Sequence, residues 1–151
     1  MSGQHSAWRN DGRKTQWYLY DFSVDGGVAA ANIELSAKSG SSRLPLGSIV
    51  TGVTAHVLTA VVGSSSTVSW GHSANADGFS GTTIAEATLV ANYIENGWKT
   101  ANSDVWDDTN DVQKYHYVST SALGSFVVLI STANLTAGKI QFMVDFLLPN
   151  L

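Results

Sequence analysis

The chain has 151 residues, of which 44% are hydrophobic and only 13% charged, and it contains no cysteine. This length can support one hydrophobic core without disulfides, so we expect one folded domain. The missing cysteines exclude disulfide frameworks, thiol catalysis and cysteine-ligated metal sites. The net charge of -4 argues against duplex binding. No apolar run reaches the roughly 18 residues of a membrane span. We therefore expect neither nucleic acid nor membrane as a partner.

The N-terminal segment differs from the remainder in charge and composition. It carries three basic residues against one acidic residue, whereas the rest of the chain is acidic. Its single large side chain is Trp8, which is too little to build a core. The sequence therefore predicts an extended N-terminal arm over residues 1–15 and a β domain over residues 16–151.

The first strand is predicted over residues 16–24, where large side chains alternate with a period of two. One face of this strand carries Tyr18 and Tyr20, and the other face carries Trp17 and Leu19. The same kind of pattern predicts further strands over residues 28–37, 48–62, 67–71, 114–119, 124–131 and 139–148.

The longest strand signal lies at residues 48–62, where β-branched side chains dominate and both faces carry apolar residues. Such a strand is either covered on both sides or bends and changes sides at Gly52. We expect a hairpin to join this strand to residues 67–71. A second hairpin is expected at residues 134–138, between the last two strands.

Residues 84–97 form the one segment with helical spacing of apolar side chains. Thr83 is placed to cap the start of a short helix, and Gly97 is placed to end it. Residues 98–113 are polar and acidic, which predicts a loop. About eight strands and one short helix, joined by turns rich in Gly, Ser and Asn, indicate an all-β fold, a jelly-roll-like β-sandwich.

Chemistry-bearing residues do not form a recognisable site in the sequence. The four histidines are far apart, and none stands beside a second metal ligand at strand spacing. Asp107, Thr109 and Asp111 resemble the start of a calcium loop, but Val112 and Val118 occupy its glycine and glutamate positions. No nucleophile elbow or phosphate-binding loop is present. We expect no enzyme activity, no metal and no cofactor.

Five tryptophans are many for a chain of this length. We expect Trp70 and Trp17 to fill the core, and Trp98 and Trp106 to hold the acidic loop in place. The alternative is that Trp98 or Trp106 is exposed in a groove, where it stacks on a sugar ring.

Several segments within residues 28–148 resemble small structural proteins of tailed bacteriophages that decorate or cement the capsid. The resemblance rests on a Leu-Pro start at Leu44, the Val- and Thr-rich strand, and a Trp-Gly turn at Trp70 followed by Ala-Asp-Gly. The last segment that carries the resemblance is LTAGK at residues 135–139. The resemblance implies a jelly-roll-like sandwich on the outer surface of the virion, made in the host cytoplasm. It also implies as partners the major capsid protein and other copies of the chain, in a dimer or trimer.

A basic arm followed by an aromatic strand is suited to reach a neighbouring subunit and anchor there. The candidate partner-binding residues are Trp8, Arg9, Arg13, Lys14, Trp17, Tyr18 and Tyr20. The alternative function is that of a carbohydrate- or receptor-binding domain of a phage fibre or tail.

Overall fold

A computed structural model describes residues 12–37, 43–96 and 116–148. The strands of these residues are β1 (Arg13–Asp21), β2 (Asn32–Glu34), β3 (Ile49–Gly63), β4 (Thr67–Gly71), β5 (Ile84–Ala85), β6 (Ile94–Asn96), β7 (His116–Tyr117), β8 (Val127–Ser131) and β9 (Leu135–Leu147). One short helix, α1 (Phe22–Asp25), follows β1. Within these residues, no helix is long and apolar enough to cross a membrane.

The strands form two antiparallel sheets packed face to face. The five-stranded sheet has the order β1-β9-β3-β6, with β7 also paired to β3, and the four-stranded sheet has the order β2-β8-β4-β5. Apart from the short β7, the chain alternates between the two sheets except at β4 and β5, which are neighbours in the four-stranded sheet. This strand order is that of a jelly roll. The all-β, jelly-roll-like sandwich predicted from the sequence is therefore confirmed.

An aromatic cluster joins the two sheets at the centre of the core. Phe126, which precedes β8, stacks on Tyr18 of β1, with ring centroids 4.7 Å apart. It also packs against Phe142 of β9 at 4.8 Å and against Phe79 at 5.6 Å. Phe142 in turn contacts Trp70 of β4. The prediction that Trp70 fills the core is confirmed.

The face of strand β3 that points into the core changes along the strand, which is one of the two alternatives predicted from the sequence. Val50 is buried before Gly52, whereas Val53 and Ala55 are buried after it. The pairing of β3 with β9 shifts register between Val50 and Gly52. A bulge at this glycine reverses the alternation, which explains why Val50 lies on the opposite face of the sequence pattern from Val53 and Ala55.

Both predicted hairpins are wrong. Strand β4 pairs with β5 and β8 and not with β3, and β9 pairs with β1 and β3 and not with β8. Each connection crosses from one sheet to the other. Turn residues such as those at 64–66 and 132–134 favour a reversal of the chain, but they do not determine whether the next strand joins the same sheet.

The carboxylate of Glu86 stabilises the first of these connections, between β3 and β4. It accepts hydrogen bonds from the backbone N–H groups of Ser65 (3.0 Å) and Ser66 (3.1 Å). The hydroxyl of Ser66 donates to the carbonyl of Ala133 at 2.9 Å, which ties the two crossings together.

Replacing Glu86 with alanine is expected to lower the free energy of unfolding by about 1–3 kcal/mol, because two backbone donors lose a charged acceptor. Urea denaturation measures this loss. The control Arg43→Ala removes an exposed ion pair with Glu34, and its cost should stay below about 1 kcal/mol. Equal small losses in both variants would show that Glu86 does not hold the crossing.

The predicted helix over residues 84–97 is wrong in its described part, through Asn96. Strand β5, a 3-10 turn (Glu86–Thr88) and strand β6 occupy it. The N–H of Val61 donates to Leu89, and the N–H of Asn92 donates to Val57, so the segment hydrogen-bonds to β3. Contacts distant in sequence override the local helical spacing. Helix α1 occupies Phe22–Asp25, of which the first three residues fall in the strand predicted over residues 16–24.

Candidate partner-binding surface

The face of the five-stranded sheet that points away from the core carries a cluster of apolar and polar side chains without Asp, Glu, Lys or Arg. Pairing brings Trp17 beside Met143 and Met143 beside Thr54 in one row. In the next row, Gln141 lies between Leu19 and His56, and His56 pairs with Ile94. We call this surface the outer patch; it consists of Trp17, Leu19, Thr54, His56, Ile94, Gln141 and Met143.

The outer patch exposes large apolar side chains that a soluble monomer ordinarily buries. Trp17 and Ile94 are each 52% exposed, and Leu19 is 45% exposed. Most residues of the patch line a shallow depression of about 220 Å³. A contiguous apolar surface of this kind typically marks a site of contact with another macromolecule.

Charged residues lie at the two ends of the outer patch and not within it. At one end, Lys139 forms an ion pair with Asp21 at 2.7 Å. At the other end, the hydroxyl of Thr15 donates to the carboxylate of Asp145 at 2.8 Å. An apolar centre with a polar rim is the usual arrangement of a protein interface.

The four-stranded sheet does not offer a comparable surface. Val68 and Trp70 of β4 point into the core, so Ser69 points the other way, yet Ser69 is fully buried. Val127 of β8 also points away from the core cluster and is buried. Of the two sheets, the five-stranded one therefore has the more exposed outer face in the described part of the chain.

The candidate residues of β1 separate into two groups. Tyr18 and Tyr20 are 1% and 0% exposed, and burial raises the pKa of the Tyr20 hydroxyl to about 12. That hydroxyl donates to the carbonyl of Gly26. These two tyrosines belong to the core, so their selection as partner-binding residues is corrected. Arg13 and Lys14 are exposed.

Trp17 lies on the outer patch, so the expectation that it fills the core is wrong, and its selection as a partner-binding candidate remains a proposal. Both faces of β1 carry aromatic side chains, and alternation alone does not tell which face points inward. Trp8 and Arg9 lie outside the described residues, as do Trp98, Trp106 and the acidic loop. Strand β1 begins at Arg13, inside the range assigned to the arm.

Sequence reasoning missed Met143, His56 and Ile94 as parts of this surface. Met143 occupies an outward position of β9, where the neighbouring outward residues Gln141 and Asp145 are polar. An apolar residue at a position where the alternation predicts a polar one indicates a contact surface, and the sequence contains this signal. The position of Ile94 depends on the pairing of β6 with β3, which the predicted helix concealed.

Metal-ligating side chains do not gather in the described part of the chain, where no group of three His, Asp or Glu residues can hold an ion. His72 is buried, and its ring packs edge-on against Phe79. Its Nδ1 accepts a hydrogen bond from the N–H of Ala74 at 3.3 Å. These contacts give His72 a structural role in the turn after β4.

The Asp21 carboxylate makes stability depend on pH at one end of the outer patch. Hydrogen bonds from Lys139 and Ser23 lower its pKa from 3.8 to about 2. A carboxylate with a lowered pKa stabilises the fold above its unfolded value, and this contribution is lost as the pH falls. We expect the free energy of unfolding to decrease between pH 3.8 and about pH 2.

The variant Asp21→Asn isolates this contribution, because asparagine still caps α1 but does not pair with Lys139. Urea denaturation should show the variant less stable than the natural chain near neutral pH and nearly equal to it near pH 2. A difference that stays constant over this range would contradict the assignment.

Comparison with known proteins identifies the fold. No protein-family model and no curated protein sequence matches the chain. A chain in the structure of the cyanophage Pam1 capsid asymmetric unit superposes with a TM-score of 0.58 and 18% identity, covering 91% of this chain and 85% of that one. A chain in the acidic stable capsid structure of Helicobacter pylori bacteriophage KHP30 superposes with a TM-score of 0.50 and 16% identity, covering 91% and 89%. At these identities the similarity establishes a shared fold.

Proposed function

We propose that the chain is a structural protein of a bacteriophage virion that decorates the outside of the capsid. In this role it bridges neighbouring major capsid protein subunits and cements the shell. The role is structural and involves no catalytic step. The observation that carries the proposal is the outer patch, an exposed apolar surface on a rigid sheet with its charges at the ends.

The fold supports a place in the virion. The two similar chains described above come from phage capsid structures, and each similarity extends over 91% of this chain. Because the match spans the sandwich and not one motif, the whole domain is a candidate for the same kind of assembly. The segments that resemble capsid decoration proteins in sequence also support a structural role in the virion.

The composition of the outer patch supports a stable contact with the shell. A binding partner that covers Trp17, Leu19 and Ile94 removes apolar surface from water, which favours association. The central rows contain no Asp, Glu, Lys or Arg in their described side chains, so little charge must be desolvated. Charged residues make up only 13% of the whole chain. A contact through the rest of its surface would therefore also require little charge to be desolvated.

The arm is proposed as a second contact with a neighbouring subunit, with Trp8 and Arg9 as its anchors. Because β1 begins at Arg13 and Gly12 hydrogen-bonds to Leu148, a deletion that tests the arm must stop at residue 11. Removing residues 1–11 should weaken binding to capsids while the urea midpoint of the domain stays unchanged. Undiminished binding by this deletion variant would exclude the arm as a contact.

Co-sedimentation with emptied heads of the phage that encodes the chain tests the proposal. We expect the chain to sediment with the heads at a fixed ratio to the major capsid protein and to saturate. Binding to a glycan array that is lost in Trp98→Ala or Trp106→Ala, together with no binding to heads, would instead favour the carbohydrate-binding alternative.

A further inference from the structure

One side chain of the outer patch belongs to a residue type that changes its charge near neutral pH. The seven residues of the patch include no Asp, Glu, Lys or Arg, and His56 is their one histidine. Histidine is the side chain that ordinarily takes up a proton between about pH 5 and about pH 8. The presence of His56 therefore makes the charge of this surface depend on pH.

His56 has residues of the outer patch on both sides and is partly buried in the free chain. Its register neighbours are Gln141 of β9 on one side and Ile94 of β6 on the other. The side chain also lines the depression of about 220 Å³, together with Trp17 and Met143. A partner that covers the outer patch must therefore cover this imidazole ring as well.

Strands β3 and β9 supply no carboxylate next to the ring of His56. Its neighbours along β3 on the outward face are uncharged. On β9, Lys139 and Asp145 lie at the two ends of the patch, where each already has a partner. Asp145 pairs with Gly52, two rows away from His56, which is about 13 Å along the strand.

Strand β6, on the other side of His56, carries one charged residue, Glu95, and its side chain lies on the opposite face of the sheet. Glu95 pairs with Ala55, and both are buried. Its carboxylate accepts a hydrogen bond from the hydroxyl of Tyr93. A protonated His56 under a partner would therefore be a buried charge without a counter-charge from the described residues, and such a charge costs far more to cover than the neutral ring.

We propose that protonation of His56 releases the outer patch from its partner, so that the contact holds near neutral pH and weakens in mild acid. This inference rests on the proposed function, in which the partner is the major capsid protein. The neutral imidazole enters the contact, whereas the imidazolium remains in water. By linkage, a contact that excludes the protonated form weakens as the pH falls through the range in which the free ring takes up its proton.

Binding to emptied phage heads at two pH values tests this inference. The dissociation constant of the natural chain should rise about tenfold between about pH 7.5 and about pH 5.5. Both values lie above the range in which Asp21 loses its contribution to stability, so that carboxylate does not cause the change. Binding that is equally tight at both values, or tighter in acid, would overturn the inference and leave the capsid role standing. No binding at about pH 7.5 would overturn both.

Variants at position 56 separate this histidine from other groups that titrate in the chain or in the capsid. His56→Gln carries no charge, so the ratio of its dissociation constants at the two pH values should stay near one. His56→Lys is charged at both values, so it should bind weakly at both. If His56→Gln weakens in acid as much as the natural chain does, the proton is taken up elsewhere and the inference is wrong.

The matched control adds Val90→His to His56→Gln, which returns a histidine to an exposed apolar position outside the outer patch. The ratio of dissociation constants should again stay near one, because a partner on the patch does not cover this ring. If the double variant weakens in acid as much as the natural chain does, the position of the histidine in the patch is not the cause, and the inference fails.

Isothermal titration calorimetry counts the proton on the natural chain, without relying on a variant. At about pH 6.5, binding to heads should release up to about half a proton per bound copy. This release is measured as a difference in binding heat between two buffers of different ionisation enthalpy. Proton uptake on binding, or no exchange of protons, would contradict the inference even where the heads are bound.

Discussion

Replacing Phe126 with alanine is expected to lower the free energy of unfolding by about 3–5 kcal/mol, the range for a buried phenylalanine. The ring is fully buried and lies at van der Waals distance from three other rings of the core. Tyr18 and Phe142 belong to the five-stranded sheet and Phe79 to the turn after β4, whereas Phe126 itself precedes β8 of the four-stranded sheet. The cavity left by alanine therefore opens where the two sheets meet.

Urea denaturation of the variant measures this loss. The control Leu46→Ala removes an apolar side chain that is 63% exposed, and its effect should stay within about 0.5 kcal/mol. If Phe126→Ala costs less than about 1 kcal/mol, the aromatic cluster is not what holds the sheets together.

Replacing Met143 with glutamate is expected to weaken binding to phage heads at least about thirtyfold. Met143 lies between Trp17 and Thr54 in the outer patch, so a partner that covers the patch must desolvate the new carboxylate without a matching charge. An unpaired charge in an interface typically costs about 2–5 kcal/mol. The side chain points away from the core, so the domain itself should stay folded.

Val90→Glu is the matched control for this variant. Val90 is a similarly exposed apolar residue, at 54%, but it lies in the turn before β6 and not on the sheet face. Co-sedimentation with heads should be lost in Met143→Glu and kept in Val90→Glu. Equal binding by the two variants would show that the outer patch is not the contact.

The fold could be predicted from the sequence where the signal is local. Alternation in β9, with Ile140, Phe142 and Val144 buried, follows from a period-two pattern, and the reversal of β3 at Gly52 is one of the two alternatives that its pattern allows. The connections could not be predicted in the same way. Whether the chain turns back into the same sheet or crosses to the other depends on the packing of distant segments, such as Glu86 against Ser65 and Ser66.

The candidate surface could likewise be predicted from the sequence only in part. The sequence singled out β1 as the aromatic strand, but it could not tell that Tyr18 faces inward and Trp17 outward. That choice depends on what each face of β1 packs against, namely Phe126 on the inner side. The other five residues of the outer patch come from β3, β6 and β9, and these strands meet β1 only in the folded sheet.

Electron cryomicroscopy of emptied phage heads incubated with the chain tests the central claim most directly. The account predicts jelly-roll density on the outside of the shell, with the five-stranded sheet facing the major capsid protein and the outer patch covered. Heads that remain bare at saturating concentrations of the chain would contradict it. A bound chain whose outer patch faces solvent would contradict it equally.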